Sequence, residues 1–231
     1  MQAEPYTILY CGSFNPIHKG HIVLAEEVLN RYPQCNLWMV VSPQNPLKRC
    51  TDLAPEEHRL QMARIAVQHS ACADRIQVCD IEFHLPKPSA TIHTLHALTN
   101  TYPKQKFALL IGSDNAQCFD RWIAHDEIVA DYPILVYPRK GWPMPDNNLT
   151  RRMHYLADFP LFPQAATDIR NQIALLRTPQ PPVSQTAQQT HLIEESAIAN
   201  ELPEGVWEYI KLHQLYGYRE DNSSTANRTT D

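Results

Sequence analysis

Short apolar runs alternate with longer amphipathic stretches along the first two thirds of the chain. The apolar runs are rich in branched and aromatic residues and predict strands over Tyr6–Cys11, Leu37–Ser42, Ile76–Phe83, Phe107–Ile111 and Pro133–Tyr137. Between them, the spacing of apolar residues predicts helices over His21–Asn30, Pro55–His69, Ala90–Asn100 and Glu127–Ala130. This alternation predicts an α/β fold with a parallel sheet and right-handed crossovers.

The last third of the chain is less regular. It predicts a sixth short strand over Phe159–Phe162, a helix over Thr167–Leu176 with Thr167 as its N-cap, and a final helix over Pro203–Tyr216. Residues 177–200 begin with a stretch rich in Pro, Gln, Ser and Thr, which predicts a flexible insertion. The polar residues 218–231 predict a disordered tail. We therefore expect one domain that spans residues 1–217.

Composition narrows the classes of partner. The 231 residues carry a formal net charge of −5, so no overall basic field favours nucleic acid. No apolar run approaches the length of a membrane span, and no basic lead-in or cleavage site precedes the first strand, so we predict a cytoplasmic protein without a membrane partner. Six cysteines form no CxxC pair and predict neither a zinc site nor a disulfide framework. The oligomeric state, including a homo-oligomer, stays open.

The strongest chemical signal lies between the first strand and the first helix, from Gly12 to His21. A glycine there lets the backbone approach a phosphate, and the following helix offers free N–H groups to an anion. His18 and His21 are three residues apart, so both can face one side of the helix start and stabilise charge on a phosphate. A turn with two surface histidines would explain either histidine alone but not the whole pattern. A metal site lacks a third ligand, and we assign no metal-binding residue.

This run, Gly12-Ser13-Phe14-Asn15-Pro16-Ile17-His18-Lys19-Gly20-His21, resembles the GxFxPxHxGH signature of the nucleotidyltransferase superfamily. More closely, residues 6–216 resemble the bacterial nicotinate-nucleotide adenylyltransferases, apart from the insertion. The further blocks that carry the resemblance are Ser42–Lys48, His58–Met62, Ser89–Leu95, Ile111–Asn115, Val136–Gly141 and Leu202–Ile210. The resemblance implies a Rossmann-like open parallel sheet of five to six strands flanked by helices, with a small helical C-terminal part.

The resemblance also implies a reaction and its residues. An adenylyl group would pass from ATP, with Mg²⁺ carried mainly by the nucleotide, to nicotinate mononucleotide, giving deamido-NAD and pyrophosphate in NAD biosynthesis. The implied catalytic residues are His18, His21 and Arg170. The implied ATP- and phosphate-binding residues are Gly12, Ser13, Phe14, Gly20, Gly112, Asp114 and Thr167. The implied acceptor-binding residues are Lys48, Thr91, Trp122 and Arg139.

Several of these residues also have ordinary structural explanations. Asp114 follows a buried strand and can either bind ribose hydroxyls or cap the next helix. Trp122 can stack on a heteroaromatic ring or pack in the core. Lys48 and Arg139 can each bind an anion or remain solvated surface charges.

The sequence departs from the family pattern at two places, which keeps alternatives open. Ala165 and Ala166 replace two serines of the second phosphate-binding block, and Ala90 and His93 replace Tyr and Asp on the acceptor side. One alternative is the same chemistry on another acceptor, such as nicotinamide mononucleotide or phosphopantetheine. The others are a nucleotide-binding protein that has lost catalysis and a fragment related to a tRNA synthetase.

Overall fold

The computed structural model describes residues 5–44, 53–162, 165–176 and 185–218. Within them, six strands form one sheet: β1 (Thr7–Gly12), β2 (Asn36–Val41), β3 (Ile76–Cys79), β4 (Phe107–Gly112), β5 (Ile134–Tyr137) and β6 (His154–Tyr155). The helices are α1 (Lys19–Arg31), α2 (Glu56–Gln68), α3 (Thr91–Thr101), α4 (Ser113–Gln117), α5 (His125–Asp131), α6 (Ala166–Leu175), α7 (Gln185–Glu201) and α8 (Val206–Leu212).

All neighbouring strands in this sheet are parallel, in the order β3-β2-β1-β4-β5-β6. In β1, Ile8 lies opposite Leu37 on one side and opposite Ala108 on the other. The strand order reverses direction between β1 and β4, and ligands of open α/β sheets bind at the carboxyl ends of the strands at such a switch point. The predicted Rossmann-like parallel sheet is confirmed.

Helices cover both faces of the sheet, which explains why the central strands are continuous apolar runs. Successive side chains of a strand point to opposite faces, so each strand contributes to two separate cores. One core packs against α1, α2, α6 and α8 and includes Ile8, Tyr10, Leu37, Met39 and Leu110. The other packs against α3 and α5 and includes Leu9, Trp38, Val40, Leu109 and Ile111.

The predicted sixth strand over Phe159–Phe162 is wrong, because β6 is His154–Tyr155, which pairs with Leu135 and Val136 of β5. Pro160 cannot donate a hydrogen bond to a neighbouring strand, so the apolar stretch around it is a poor edge strand. Phe159 is buried in the core on the α1 face instead.

Three other local predictions differ from the structure. Residue Ala165, not Thr167, is the N-cap of α6. Helix α7 occupies Gln185–Glu201, where we predicted an irregular insertion, because the prolines are confined to the start of that segment and good helix formers follow them. The predicted third strand ends at Cys79, and Ile81–His84 form a 3-10 turn instead.

The final helix is shorter than predicted and ends at Leu212, followed by a 3-10 turn over Leu215–Gly217. Residues 219–231, which hold most of the predicted tail, lie outside the described residues. Among the helices that the structure describes, none combines the length and apolar character needed to cross a bilayer.

Candidate active site

A cavity of about 590 Å³ opens at the carboxyl ends of the strands, around the switch point. Every predicted site residue that the structure describes lines it: Gly12, Ser13, Phe14, His18, Gly20, His21, Thr91, Gly112, Asp114, Trp122, Arg139, Thr167 and Arg170. The predicted acceptor residue Lys48 lies outside the described residues. Residues that are far apart in the sequence therefore meet at one site.

The loop between β1 and α1 is shaped by Phe14, which is buried and has a positive φ of 44°. Its ring contacts Tyr10 edge-on at 5.5 Å and His21 at 5.1 Å between ring centroids. A Cβ on Gly12 would lie 3.0 Å from the Phe14 ring, so glycine is what lets the ring pack there. The side chain of Asn15 accepts a hydrogen bond from the Ala54 N–H at 3.0 Å and ties the loop to the start of α2.

His18 and His21 form a stacked pair at the start of α1, with ring centroids 3.7 Å apart. The His18 N–H donates to Nδ1 of His21 at 3.1 Å, so the His21 proton resides on Nε2. Burial, helped by the charge of Arg139, lowers the pKa of His18 to about 4. At neutral pH His18 is therefore an uncharged hydrogen-bonding group rather than a cation.

Arg170 joins the β1–α1 loop to the start of α6. Its Nη1 donates to the carbonyl oxygen of Asn15 at 2.7 Å, and its Nη2 donates to Oγ1 of Thr167 at 3.2 Å. No side-chain hydrogen bond from Ala165 caps α6, and the first N–H groups of a helix have no partner within it. The start of α6 thus presents backbone donors beside a guanidinium group, a combination suited to phosphate oxygens.

Asp114 and Arg139 form an ion pair at 3.1 Å where β4 and β5 end. The Arg139 N–H also donates to the buried Ser113 hydroxyl at 2.9 Å. A Cβ on Gly112 would collide with Oδ1 of Asp114 and would lie 2.8 Å from Cδ of Arg139. The Ile111-Gly112-Ser113-Asp114 sequence therefore needs its glycine to bring the carboxylate and the guanidinium together.

Trp122 and Thr91, two of the predicted acceptor-binding residues, line the cavity. The Trp122 ring packs against Phe119 with 5.2 Å between centroids, so it belongs to the core as well as to the cavity wall. The next residue but one, Ala124, has a positive φ of 55°, which ends this loop at the start of α5. Thr91 is the first residue of α3.

Buried polar atoms without a partner concentrate at this site. Among the described residues, those side-chain atoms are Nδ1 of His18, Oδ1 of Asp114, Nε1 of Trp122 and the hydroxyl of Tyr216. The first three belong to residues that line the cavity. Leaving a buried polar atom unpaired costs free energy, so this arrangement fits a site whose polar ligand completes the hydrogen bonding.

Sequence reasoning assigned no role to Arg59, which is almost fully buried on α2. Its guanidinium donates to the carbonyl oxygens of Ser13 and Ser42 at 2.6 Å each, of Pro43 at 2.8 Å and of Ala54 at 2.9 Å. It therefore ties together the loops that follow β1 and β2. The available signal was its helical spacing, since Arg59 shares the buried face of α2 with Met62, Ala63 and Ala66.

Glu82 was missed as well. It lies in the 3-10 turn after β3, is buried, and lines the cavity. Its oxygens accept hydrogen bonds from the hydroxyls of Ser89 at 3.2 Å and Thr94 at 2.9 Å. The predicted strand Ile76–Phe83 contained Glu82, so the sequence offered no separate signal for it; the strand ends at Cys79, and this places Glu82 just beyond the carboxyl end of β3.

Comparison with known proteins places the chain in a family. The profile of the cytidylyltransferase-like family matches residues 9–181. A protein of Bacteroides fragilis named "Probable nicotinate-nucleotide adenylyltransferase" is 44% identical over 172 residues, which cover 74% of this chain and 84% of that protein. A protein of Flavobacterium johnsoniae with the same name is 34% identical and aligns over 90% of this chain and 97% of its own length.

A solved structure shows the same fold. The nicotinic acid mononucleotide adenylyltransferase of Plasmodium falciparum, complexed with NaAD, superposes with a TM-score of 0.70. The superposition covers 94% of this chain and 99% of that one, at 18% sequence identity. The family profile and the two bacterial relatives carry the assignment: the chain belongs to the cytidylyltransferase-like family and, within it, to the nicotinate-nucleotide adenylyltransferases.

Proposed function

We propose that the protein transfers the adenylyl group of ATP to nicotinate mononucleotide, giving deamido-NAD and pyrophosphate in NAD biosynthesis. One observation carries the proposal: Arg170 of α6 hydrogen-bonds to Asn15 of the β1–α1 loop, so two separate phosphate-binding stretches face one cavity. Family membership supports the same reaction, since the relatives bear the name of that activity. A cytoplasmic location, where ATP is abundant, belongs to this proposal.

ATP would bind across the switch point of the sheet. Backbone atoms of Gly12, Ser13, Phe14 and Gly20 would line the path of the phosphates, as glycine-rich strand–helix loops do. Asp114, beside Gly112, would accept hydrogen bonds from the ribose hydroxyls. Its Oδ2 is engaged by Arg139, whereas its buried Oδ1 has no hydrogen-bond partner in the described part of the chain and is available for this contact.

The chemical step would be an in-line displacement at the α-phosphorus of ATP. An anionic phosphate oxygen of the acceptor attacks, a new P–O bond forms, and the bond to the bridging oxygen of pyrophosphate breaks. The pyrophosphate leaves with the bonding electron pair. The acceptor phosphate is already an anion, so no protein nucleophile or base is required, and the protein contributes positioning and charge stabilisation.

His18 and His21 would donate hydrogen bonds to the oxygens around the α-phosphorus, where negative charge is redistributed in the transition state. The neutral state of His18 at pH 7 suits a donor that does not bind the ground-state triphosphate as strongly as a cation would. Arg170 and Thr167, together with the N–H groups at the start of α6, would hold the departing pyrophosphate.

Mg²⁺ is part of the proposal as an ion that accompanies ATP. In the described part of the chain, no cluster of three or more His, Cys, Asp or Glu side chains could hold a metal ion. Mg²⁺ often keeps several waters and binds through substrate phosphates rather than an all-protein cage. When bound, the ion would neutralise charge on the phosphate oxygens.

The acceptor would occupy the side of the cavity formed by Thr91 and Trp122. The Trp122 ring offers a flat face to a pyridine ring, and its buried Nε1–H has no partner among the described residues. Arg139 would contribute positive charge toward the acceptor phosphate, and Lys48 completes this predicted set.

Pyrophosphate release by the purified protein with ATP and Mg²⁺ tests the proposal. We expect rapid release with nicotinate mononucleotide, little release with nicotinamide mononucleotide, and none without an acceptor. Release only with phosphopantetheine would show that the acceptor is wrong. ATP binding without release for any acceptor would instead indicate a nucleotide-binding protein that has lost catalysis.

A further inference from the structure

Glu82 is a buried carboxylate at the acceptor side of the cavity. Its side chain is 5% exposed, and no Lys or Arg among the described residues forms an ion pair with it. Burial raises the pKa of Glu82, and hydrogen bonds from Thr94, Ser42 and Ser89 oppose that rise. A carboxylate is costly to bury, so a position of this kind requires a compensating role.

The hydroxyl groups that bind Glu82 come from three separate parts of the fold. Ser42 directly follows β2, Ser89 lies in the loop before α3, and Thr94 is in the first turns of α3. Ser89 and Thr94 are themselves buried, at 5% and 0% exposure. Their hydroxyl groups donate to different oxygens of the same carboxylate, which fixes the loop and the helix relative to each other.

Thr91 lies between these two anchored residues. The N-cap of α3 is Ala90, which makes no side-chain capping bond, so the helix lacks the usual fixation of its first turn. Glu82 supplies that fixation from outside the helix, through Ser89 before Thr91 and Thr94 after it. The position of Thr91 in the cavity therefore depends on the carboxylate of Glu82.

We propose, on the basis of the function proposed above, that Glu82 is a positioning residue for the acceptor: it holds Thr91 and the start of α3 in place through Ser89 and Thr94. The β1–α1 loop, on the proposed ATP side, is held by other contacts, because Arg59 and Arg170 donate hydrogen bonds to the carbonyl oxygens of Ser13 and Asn15. Arg59 also binds the carbonyl oxygen of Ser42, so the support that only Glu82 gives to the acceptor side is the one through Ser89 and Thr94.

A second carboxylate contacts the same loop from outside and provides a matched control. Glu56 accepts two hydrogen bonds of 2.6 Å from Lys87, but this pair is partly exposed to solvent. Pairs of this kind contribute little, because water screens them and long side chains lose freedom. Glu56→Gln should therefore leave the kinetics of both substrates nearly unchanged.

The test compares Glu82→Gln, Ser89→Ala and Glu56→Gln with the unchanged protein by measuring KM for each substrate and kcat. Replacing one accepting oxygen of Glu82 with an amide nitrogen leaves a hydroxyl without its acceptor, so we expect KM for nicotinate mononucleotide to rise about tenfold. KM for ATP should change by no more than about twofold, because Arg59 and Arg170 still hold the β1–α1 loop in place. Urea unfolding of each variant establishes that the chain is folded under assay conditions.

The double variant Glu82→Gln with Ser89→Ala gives the sharper readout. If Glu82 acts through Ser89, the two changes are not additive, and the double variant resembles Glu82→Gln alone. An unchanged KM for nicotinate mononucleotide, or equal rises for both substrates, would overturn the positioning role while leaving the proposed reaction intact. No turnover of nicotinate mononucleotide by the unchanged protein would instead contradict the proposed function.

Discussion

His18, at the start of α1, is uncharged at neutral pH because of where its ring lies. Burial lowers its pKa, and the positive charge of Arg139 adds to that effect. The His18 ring stacks on that of His21 with 3.7 Å between the ring centroids. In the proposed mechanism the pair would supply directed hydrogen bonds, whereas Arg170 would supply positive charge.

His18→Ala should lower kcat by about 100-fold or more, because one donor to the transition-state phosphate is removed. KM for ATP should change little, since the backbone of the β1–α1 loop and Arg170 remain. Steady-state kinetics with nicotinate mononucleotide would measure both values. His191→Ala, which changes an exposed histidine on α7, is the control and should behave as the unchanged protein does. Unaltered kcat in His18→Ala would exclude the catalytic role.

The low pKa of His18 also predicts how stability depends on pH. The folded-state pKa of about 4 lies below the ordinary value of 6.5, so below pH 6.5 the unfolded chain binds a proton that the folded chain does not. From His18 alone, the free energy of unfolding should fall by about 2 kcal/mol between pH 7.5 and pH 5.

Urea unfolding of the unchanged protein and of His18→Asn at the two pH values isolates this effect. The variant should lose about 2 kcal/mol less than the unchanged protein over the same interval. Equal losses would show that His18 is accessible to protons in the folded state.

The sequence predicts those site residues that stand together in one short motif, but not those whose contacts are distant in the chain. Gly12, His18 and His21 stand in one short run, and their chemistry follows from that spacing. Arg59 and Glu82 act through backbone carbonyls and hydroxyls that are distant in the chain, and neither sequence spacing nor residue type identifies such partners. The burial that lowers the pKa of His18, and the stacking of the two histidine rings, also required the structure.

At the scale of elements, the segments that border the cavity differ in how firmly hydrogen bonds fix them. The loops after β1 and β2 share one anchor, since four carbonyl oxygens accept hydrogen bonds from Arg59. The start of α6 has no side-chain cap, because Ala165 stands at the N-cap. Of the two segments proposed to bind phosphate, the β1–α1 loop is therefore firmly fixed, whereas the start of α6 leaves its first backbone donors without a side-chain cap.

Arg59→Met should destabilise the protein by about 3 kcal/mol or more, because buried carbonyl oxygens lose their donors. Arg59→Lys keeps the charge but cannot reach several carbonyl oxygens at once, so its free energy of unfolding should lie between those of Arg59→Met and the unchanged protein. Urea unfolding at neutral pH measures the differences. A loss below about 0.5 kcal/mol in Arg59→Met would mean that these bonds do not anchor the loops.

Ala165→Ser should raise stability by about 1 kcal/mol, because the N-cap residue already has extended backbone angles and serine would cap the first turn of α6. If the added hydroxyl also contacts the triphosphate, KM for ATP should fall several-fold. Thermal unfolding and steady-state kinetics measure the two effects. Leu175→Ser, at an exposed position near the other end of α6, is the control, and an equal response there would contradict the capping explanation.

The apolar pattern of the sequence predicts some of these strands and helices well and misses others. Strands β1, β2, β4 and β5 are buried on both faces and were found within one or two residues of their predicted bounds. β6 has only two residues and faces a neighbour on one side, so no periodic pattern marks it. Helix α7 was hidden by the prolines before it and by its weak division into polar and apolar faces.

For the molecule as a whole, the order of the strands determines where the chemistry can occur. The carboxyl ends of β1 and β4 lie side by side, so Gly12 and Gly112, one hundred residues apart in the sequence, border the same cavity. α6 reaches this edge from the last third of the chain and adds Arg170. The alternation of strands and helices predicted the parallel sheet, but the order of the strands came from the structure.

The central claim is that this cavity joins ATP to a nicotinate nucleotide, and the identity of the dinucleotide product tests it most directly. Purified protein is incubated with ATP, Mg²⁺ and equal amounts of nicotinate and nicotinamide mononucleotides, and the products are separated and identified by mass spectrometry. We predict that deamido-NAD forms in large excess over NAD, together with an equal amount of pyrophosphate. Excess NAD, or ATP consumption without either dinucleotide, would contradict the claim.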